Sequence, residues 1–320
     1  MALIAFAVAA IVALAATPVA MLVAVQTGIV DRPGPLKVQQ TAVPYLGGLA
    51  VLVGFGAVVA FVHPMLLVPL GLAAMLGLVD DARGVPAVVR LAGEVGIGAA
   101  AAAIVPVRWG GPFGPVAVVI AVVVLVNATN MLDGLDALAS GVAMIAAAGF
   151  AAVEHGDARA IALALAGALA GFLWFNRPPA RVYLGDAGAY LIGTALALLL
   201  ALAWSPHRSE TVGIAGVALV ALPVLEAGVT IVRRVRARHP LFHGDRGHVY
   251  DQLVDRGWAP TRASLAFSIA ELGLAALAVA AAHTASAGAA LAIAAASVGT
   301  LLAVVVGAGF TRPEFRREVS

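Results

Sequence analysis

The chain has 320 residues, 62% of them hydrophobic and 11% charged, with a formal net charge of +2 and a mean hydropathy of +1.02. That balance excludes a soluble globular domain and leaves a polytopic membrane protein, with no nucleic-acid partner expected. The absence of cysteine excludes disulfides, thiolate metal sites and a cysteine nucleophile.

Apolar runs fall near residues 3–25, 45–62, 65–79, 90–106, 115–126, 137–153, 158–175, 188–204, 211–232, 263–282 and 287–308. Their lengths suit membrane helices rather than barrel strands of about 9 to 11 residues. The predicted fold is therefore all-α, a single integral membrane domain over 1–320 with about eleven transmembrane helices. Residues 1–25 lack a basic leading region and are too long an apolar run for a signal peptide, so a retained helix is expected. One helix over 45–79 would be about 50 Å long, so His63 and Pro64 are expected to break it in two. Sixteen of the nineteen Lys and Arg lie in the connections after the odd-numbered helices, and only Arg108, Arg159 and Arg208 lie opposite. The positive-inside rule then puts the N-terminus outside and the C-terminus in the cytoplasm.

In chain order, the polar clusters occupy connections near 26–44, 80–89, 127–136, 176–187 and 233–262, all on the side assigned to the cytoplasm. One active site at the cytoplasmic membrane surface is the expected consequence. Asp80 and Asp81, in GLVDDARG, are adjacent carboxylates that repel unless a cation or a substrate proton lies between them. Adjacent acids at an interface are also structurally cheap. In NATNMLDGLDALASG, a hydrocarbon run meets Asn127, Asn130, Asp133 and Asp136. If helical, the first three follow at i, i+3 and i+6 on one face, with Asp136 extending the row past Gly134. Burying such carboxylates in lipid costs about 2.5 to 3.5 kcal/mol each, so the row is expected to face an aqueous pocket or a cation. An interfacial cap needs one such residue, and this stretch has four. Asp186 precedes a helix, where it could cap the N-terminus or serve a ligand that the small residues after it let approach. His248 lies in HGDRGHVYDQL, a loop dense in both charge signs, where a solvated structural role is the alternative. With no Cys or His partners at zinc spacing, these acids suit a hard, oxygen-ligated ion such as Mg²⁺.

Taken together, DRPGPLK, PYLGG, the DD pair, NATNMLDGLDALASG and NRPPARVYLGDAG resemble, in order, the polyprenyl-phosphate N-acetylhexosamine-1-phosphate transferases. The resemblance spans Asp31 to Trp258. It implies that polyprenyl phosphate attacks the sugar-bearing phosphate of a UDP-sugar, giving polyprenyl-diphospho-sugar and UMP, with Mg²⁺ (Mn²⁺ substituting) as cofactor. It further implies Asp186 as metal ligand, and Asn130, Asp133 and Asp136 at the nucleotide and diphosphate site. Gly134, Leu135, Asn176 and Tyr183 match the uridine pocket, and Asp80 and Asp81 the pair at the lipid phosphate. Lys37, Asn127, Arg246 and Asp251 join the expected substrate contacts, and His248 is the expected cation, its charge favoured by Asp251 three residues on. Tyr250 and Asp251 stand where the family carries further histidines. The implied setting is the plasma or inner membrane, in cell-envelope glycan synthesis, with homodimerisation left open. A transporter or lipid flippase is the main rival reading, but such sites lie near the midplane on broken helices rather than at helix ends on one side. An intramembrane aspartyl protease would leave NATNMLDGLD unexplained.

Overall fold

A computed structural model of the protein describes residues 2–32, 42–108, 111–240 and 245–312. Lys37 and most of DRPGPLK lie outside the described residues. All eleven apolar runs are helical. They form α1 (Ala2–Thr27), α2 (Gly47–Val62), α3 (Leu67–Arg83), α4 (Ala87–Ile104), α5 (Gly114–Leu132), α6 (Leu138–Val153), α7 (Gly156–Asn176), α8 (Gly185–Ala203), the pair α9 (Glu210–Leu219) and α10 (Ala221–Arg236), then, after the short α11 (Val249–Asp255), α12 (Pro260–Ala282) and α13 (Ala287–Gly307). A two-residue antiparallel pair, β1 (Val30–Asp31) with β2 (Val43–Pro44), closes the first loop, Val30 opposite Pro44.

Among the described residues, eight helices are long and apolar enough to cross a membrane, and the α9–α10 pair makes a ninth. The remaining two, α2 and α6, have 16 residues each. At 1.5 Å per residue that is about 24 Å, short of a hydrocarbon core of about 30 Å. His63 and Pro64 do separate α2 from α3. The run 211–232, expected as one helix, is bent by 51° between α9 and α10. Pro223 accounts for the break: it has no N–H to give, and its ring would meet the carbonyl of Leu219, four residues back, where α9 ends.

The centre of the bundle is α8, 83% of whose apolar stretch is buried. Hydrocarbon gives helices no reason to prefer one another over lipid, so close association depends on small side chains that let backbones approach. Gly48 of α2 packs on the Gly188 backbone, Gly77 of α3 on Asp186 and Ala187, and Gly193 on the Leu125–Val126 backbone of α5. These contacts draw the start of α8 and the ends of α3 and α5 together at one end of the bundle. Outer helices such as α1, α4 and α13 keep large apolar side chains exposed, among them Leu3, Ile11, Val88 and Leu291.

Candidate active site

The two carboxylates of the DD pair take different partners. Consecutive on α3, they diverge, and each is matched separately. Asp80 is buried and accepts from the Val85 amide (2.7 Å), Arg90 Nη1 (3.2 Å) and the Tyr190 hydroxyl (2.6 Å). Asp81 reaches across to α8, accepting from the amides of Asp186 (2.9 Å) and Ala187 (3.1 Å). It thus caps the N-terminus of a helix to which it does not belong, where the dipole favours an anion. Gly185 makes this possible: it turns the chain with φ of 71°, and a Cβ there would crowd the Tyr45 carbonyl and the Asp81 carboxylate.

The expected acidic row is also rearranged. Helix α5 stops at Leu132, so Asp133 is its C-cap and Asp136 lies in a turn that ends with Ala137 in the left-handed region, φ 61°. Asp136 therefore arrives by a turn, not by helical periodicity, and its carboxylate accepts from the Ala180 amide (2.9 Å). Asn130 donates to Asp186 Oδ1 at 2.6 Å, joining α5 to α8. Asn127, by contrast, turns to Glu94 of α4. Asn176 is buried with both ends engaged inside the protein: Oδ1 accepts from the Ala137 amide (3.1 Å) and the Ser140 hydroxyl (2.7 Å), and Nδ2 donates to the Val182 carbonyl (3.0 Å). Its amide pins the acidic turn to the 177–184 segment.

Burial, followed by the charges of Asp186, Asp81 and Asp136, pushes the Asp133 carboxyl up to about 8. The rings of Tyr45 and Tyr183 lie 6.0 Å apart, their planes tilted by 52°, beside these acids. Burial and then Asp136, Asp31 and Asp133 push the Tyr183 hydroxyl up to about 12, and burial followed by Asp31 raises Tyr45 as well. Tyr45 was quoted in PYLGG but not singled out. Its place is set by backbone pairing, Tyr45 N to the Ile29 carbonyl and Tyr183 N to the Pro44 carbonyl.

The loop after α10 docks onto this end of the bundle. Arg233 and Arg234 grip Asp245 at 2.6 and 3.3 Å. Burial alone would raise Asp245, and the two guanidiniums overcome it and hold its carboxyl below the ordinary range. Tyr250 lies over Gly134 and donates to the Met131 carbonyl at 3.0 Å. Beside Gly134, Leu135 is partly buried against the core. His248 and Asp251 act on each other through charge, but the direct contact of His248 is with another acid. His248 precedes α11, is buried, and sets Nδ1 3.1 Å from Glu226 Oε1. Asp251 instead faces Arg246 (3.9 Å), which also reaches Asp255 (3.4 Å). Arg90, Tyr190, Glu94 and Glu226 were missed in the sequence. Glu94 and Glu226 carried a signal, as single acids inside apolar runs.

The family model of glycosyl transferase family 4 matches residues 63–204. The chain is 30% identical over 318 residues to decaprenyl-phosphate N-acetylglucosaminephosphotransferase of Mycobacterium tuberculosis, covering 83% of this chain and 78% of the relative. It is 28% identical to the protein of the same name in Mycolicibacterium smegmatis, covering 80% and 76%. Undecaprenyl-phosphate alpha-N-acetylglucosaminyl 1-phosphate transferase of Escherichia coli is 25% identical, with 82% and 79% covered. With the motif order, the helical bundle and similarity over more than three quarters of both chains in agreement, the chain belongs to glycosyl transferase family 4.

Proposed function

We propose that the protein transfers an N-acetylhexosamine-1-phosphate from a UDP-sugar to polyprenyl phosphate and so starts a cell-envelope glycan. The observation that carries this reading is the meeting of Asp133, Asp136 and Asp186 with the Tyr45–Tyr183 pair at one end of the bundle. A phosphate oxygen of the lipid attacks the sugar-bearing phosphorus. The bond from that phosphorus to the bridging oxygen breaks, and its electron pair leaves with UMP. The nucleophile belongs to the lipid. A phosphate monoester has a second pKa of about 6, so the lipid phosphate is largely ionised at neutral pH and no strict base is required.

The carboxylate set fits a divalent ion. Its oxygens are hard donors, and Asp133 lies among three other carboxylate charges. Asp186 and Asp133 would hold Mg²⁺, which supplies Lewis-acid neutralisation of the diphosphate when bound. Among the described residues no three acid or histidine side chains form a cage. That suits Mg²⁺, which takes one or two carboxylates and fills the rest with water and substrate phosphates. Asn130 orients Asp186, and Asp81 fixes the start of α8. Asp80, satisfied by three donors, positions α3 against α4 and α8 rather than acting as a base. Tyr183 with Tyr45 would stack on the uracil, and Arg246 and His248 would face the phosphates. The charge bias supports a cytoplasmic site in the plasma membrane.

The test is UMP release by purified protein given polyprenyl phosphate, Mg²⁺ and a panel of UDP-sugars. UDP-N-acetylhexosamines are expected to be turned over. Chelator, or Asp186→Asn in folded protein, should lower kcat by at least about 100-fold, the scale of losing a charge-stabilising group. Folded wild-type protein releasing no UMP from any donor would refute the reading.

A further inference from the structure

Glu226 sits on α10, six residues past the bend at Val220, with its side chain 1% exposed. One of its oxygens gathers three groups. Oε1 accepts from the Val249 amide (3.0 Å) and the Thr230 hydroxyl (3.4 Å), and lies 3.1 Å from His248 Nδ1. Nδ1 also lies 3.2 Å from the Thr230 hydroxyl, which can accept or donate, whereas an ionised carboxylate can only accept, so a bond to Glu226 requires the proton on Nδ1. The Tyr250 ring covers one face of the imidazole, stacked at 5.1 Å with 2° between planes. The Tyr250 hydroxyl is tied to the Met131 carbonyl, two residues before Asp133. The ring is thus held at one edge by α10 and on one face by a side chain anchored to α5. Among the described residues, the hydrogen-bond partners of the ring are all on Nδ1, so Nε2 is the nitrogen that a ligand would meet. Other charges around this loop are paired elsewhere: Asp245 with Arg233 and Arg234, and Asp251 with Arg246.

We infer that Glu226 is a positioning residue, the carboxylate of an imidazole–carboxylate pair that directs His248 Nε2 toward the phosphates of the substrates. The inference rests on the transferase reading of the site. Glu226 selects the Nδ1–H form of the ring, because which ring nitrogen carries the proton is set by the bond the other one makes. A glutamine at the same place still accepts from the Val249 amide, but it can also donate to Nδ1 and so admit the other tautomer. Buried carboxylates that orient a functional histidine are commonly worth 10- to 100-fold in activity.

The test compares UMP release by purified wild type, Glu226→Gln, Glu226→Asp, His248→Gln and the double variant Glu226→Gln/His248→Gln. Glu226→Gln is expected to lower kcat by about 10- to 100-fold. KM for the UDP-sugar should change little, since the defect lies in the transition state and not in uniform binding. Glu226→Asp keeps the charge and should recover part of kcat. The double variant should be no slower than His248→Gln alone, because residues acting as one unit are not additive. Full kcat in Glu226→Gln, or losses that multiply in the double variant, would overturn the pairing. Absence of UMP with wild type would instead fell the transferase reading itself, so the two failures are distinguishable.

Discussion

Gly134 has no room for a methyl group, because a Cβ there would overlap the phenol of Tyr250. The contact sits next to Asp133, so the acidic turn and the docked loop share one residue of clearance. Burial, then the charges of Asp251 and Glu226, push the Tyr250 hydroxyl far above the ordinary phenol range, so it stays protonated and donates to Met131. Gly134→Ala should cost about 1 to 3 kcal/mol, the scale of overpacking, and lower UMP release. Tyr250→Phe, which loses one hydrogen bond, should cost only about 1 kcal/mol. Adding Tyr250→Ala to Gly134→Ala should relieve the overlap, making the double variant more stable than the two single losses summed. Thermal unfolding in detergent checks all three, and a Gly134→Ala protein as stable as wild type would refute the packing argument.

At the scale of elements, the anchors of the loop carrying α11 include Asp245 on α10, the Val249 amide on Glu226, Tyr250 on α5 and Gln252 on the Phe310 carbonyl. One group works against docking. Burial pushes the Asp251 carboxyl from the ordinary 3.8 up to about 6, only partly offset by His248 and Arg246. A folded value above the unfolded one means that the docked loop binds more protons than the released loop between about pH 4 and 6. Its contribution is fully present below that window and is lost as pH rises through it. Asp245 has the opposite sign: its depressed carboxyl favours docking above its unfolded value and loses that contribution only at lower pH. Protease cleavage within 245–258 should therefore increase between pH 5 and 7 in wild type. Asp251→Asn should flatten that dependence and cut more slowly at pH 7. Equal cleavage of wild type at both pH values would refute it.

For the whole molecule, α8 sets the depth of the site. Its 19 residues run from Gly185, beside Asp186 at the acidic end, to Ala203, capped by Trp204 at the other, about 28 Å at helical rise and close to the thickness of a bilayer core. The polar end therefore lies at one membrane surface and the Trp204 end at the other. The chain contains no cysteine, so an introduced thiol is unique. Single cysteines at the exposed positions Ala82 and His207 should react with an impermeant reagent from opposite faces of sealed vesicles, Ala82 from the cytoplasmic one. Labelling of both from one side would overturn the assigned topology.

The helical runs, the break at His63–Pro64 and the acids at Asp80, Asp81, Asp133, Asp136 and Asp186 were legible in the sequence, because polar groups stand out against hydrocarbon and their burial cost demands a function. Sequence spacing reports geometry only within one helix. Partners across helices depend on how the helices are rotated and how closely they approach. The Gly48–Gly188 and Gly77–Ala187 contacts set this approach, and those glycines look like any others in the sequence. Hence only the tertiary structure separated the DD pair into an Arg90–Tyr190 partner and an α8 cap, and turned Asn127 to Glu94 and Asn176 inward. It also ended α5 at Leu132, bent the chain at Val220 and gave His248 to Glu226 instead of Asp251. The residue types determined which chemistry the chain can perform. Packing of small side chains decided which of those residues meet.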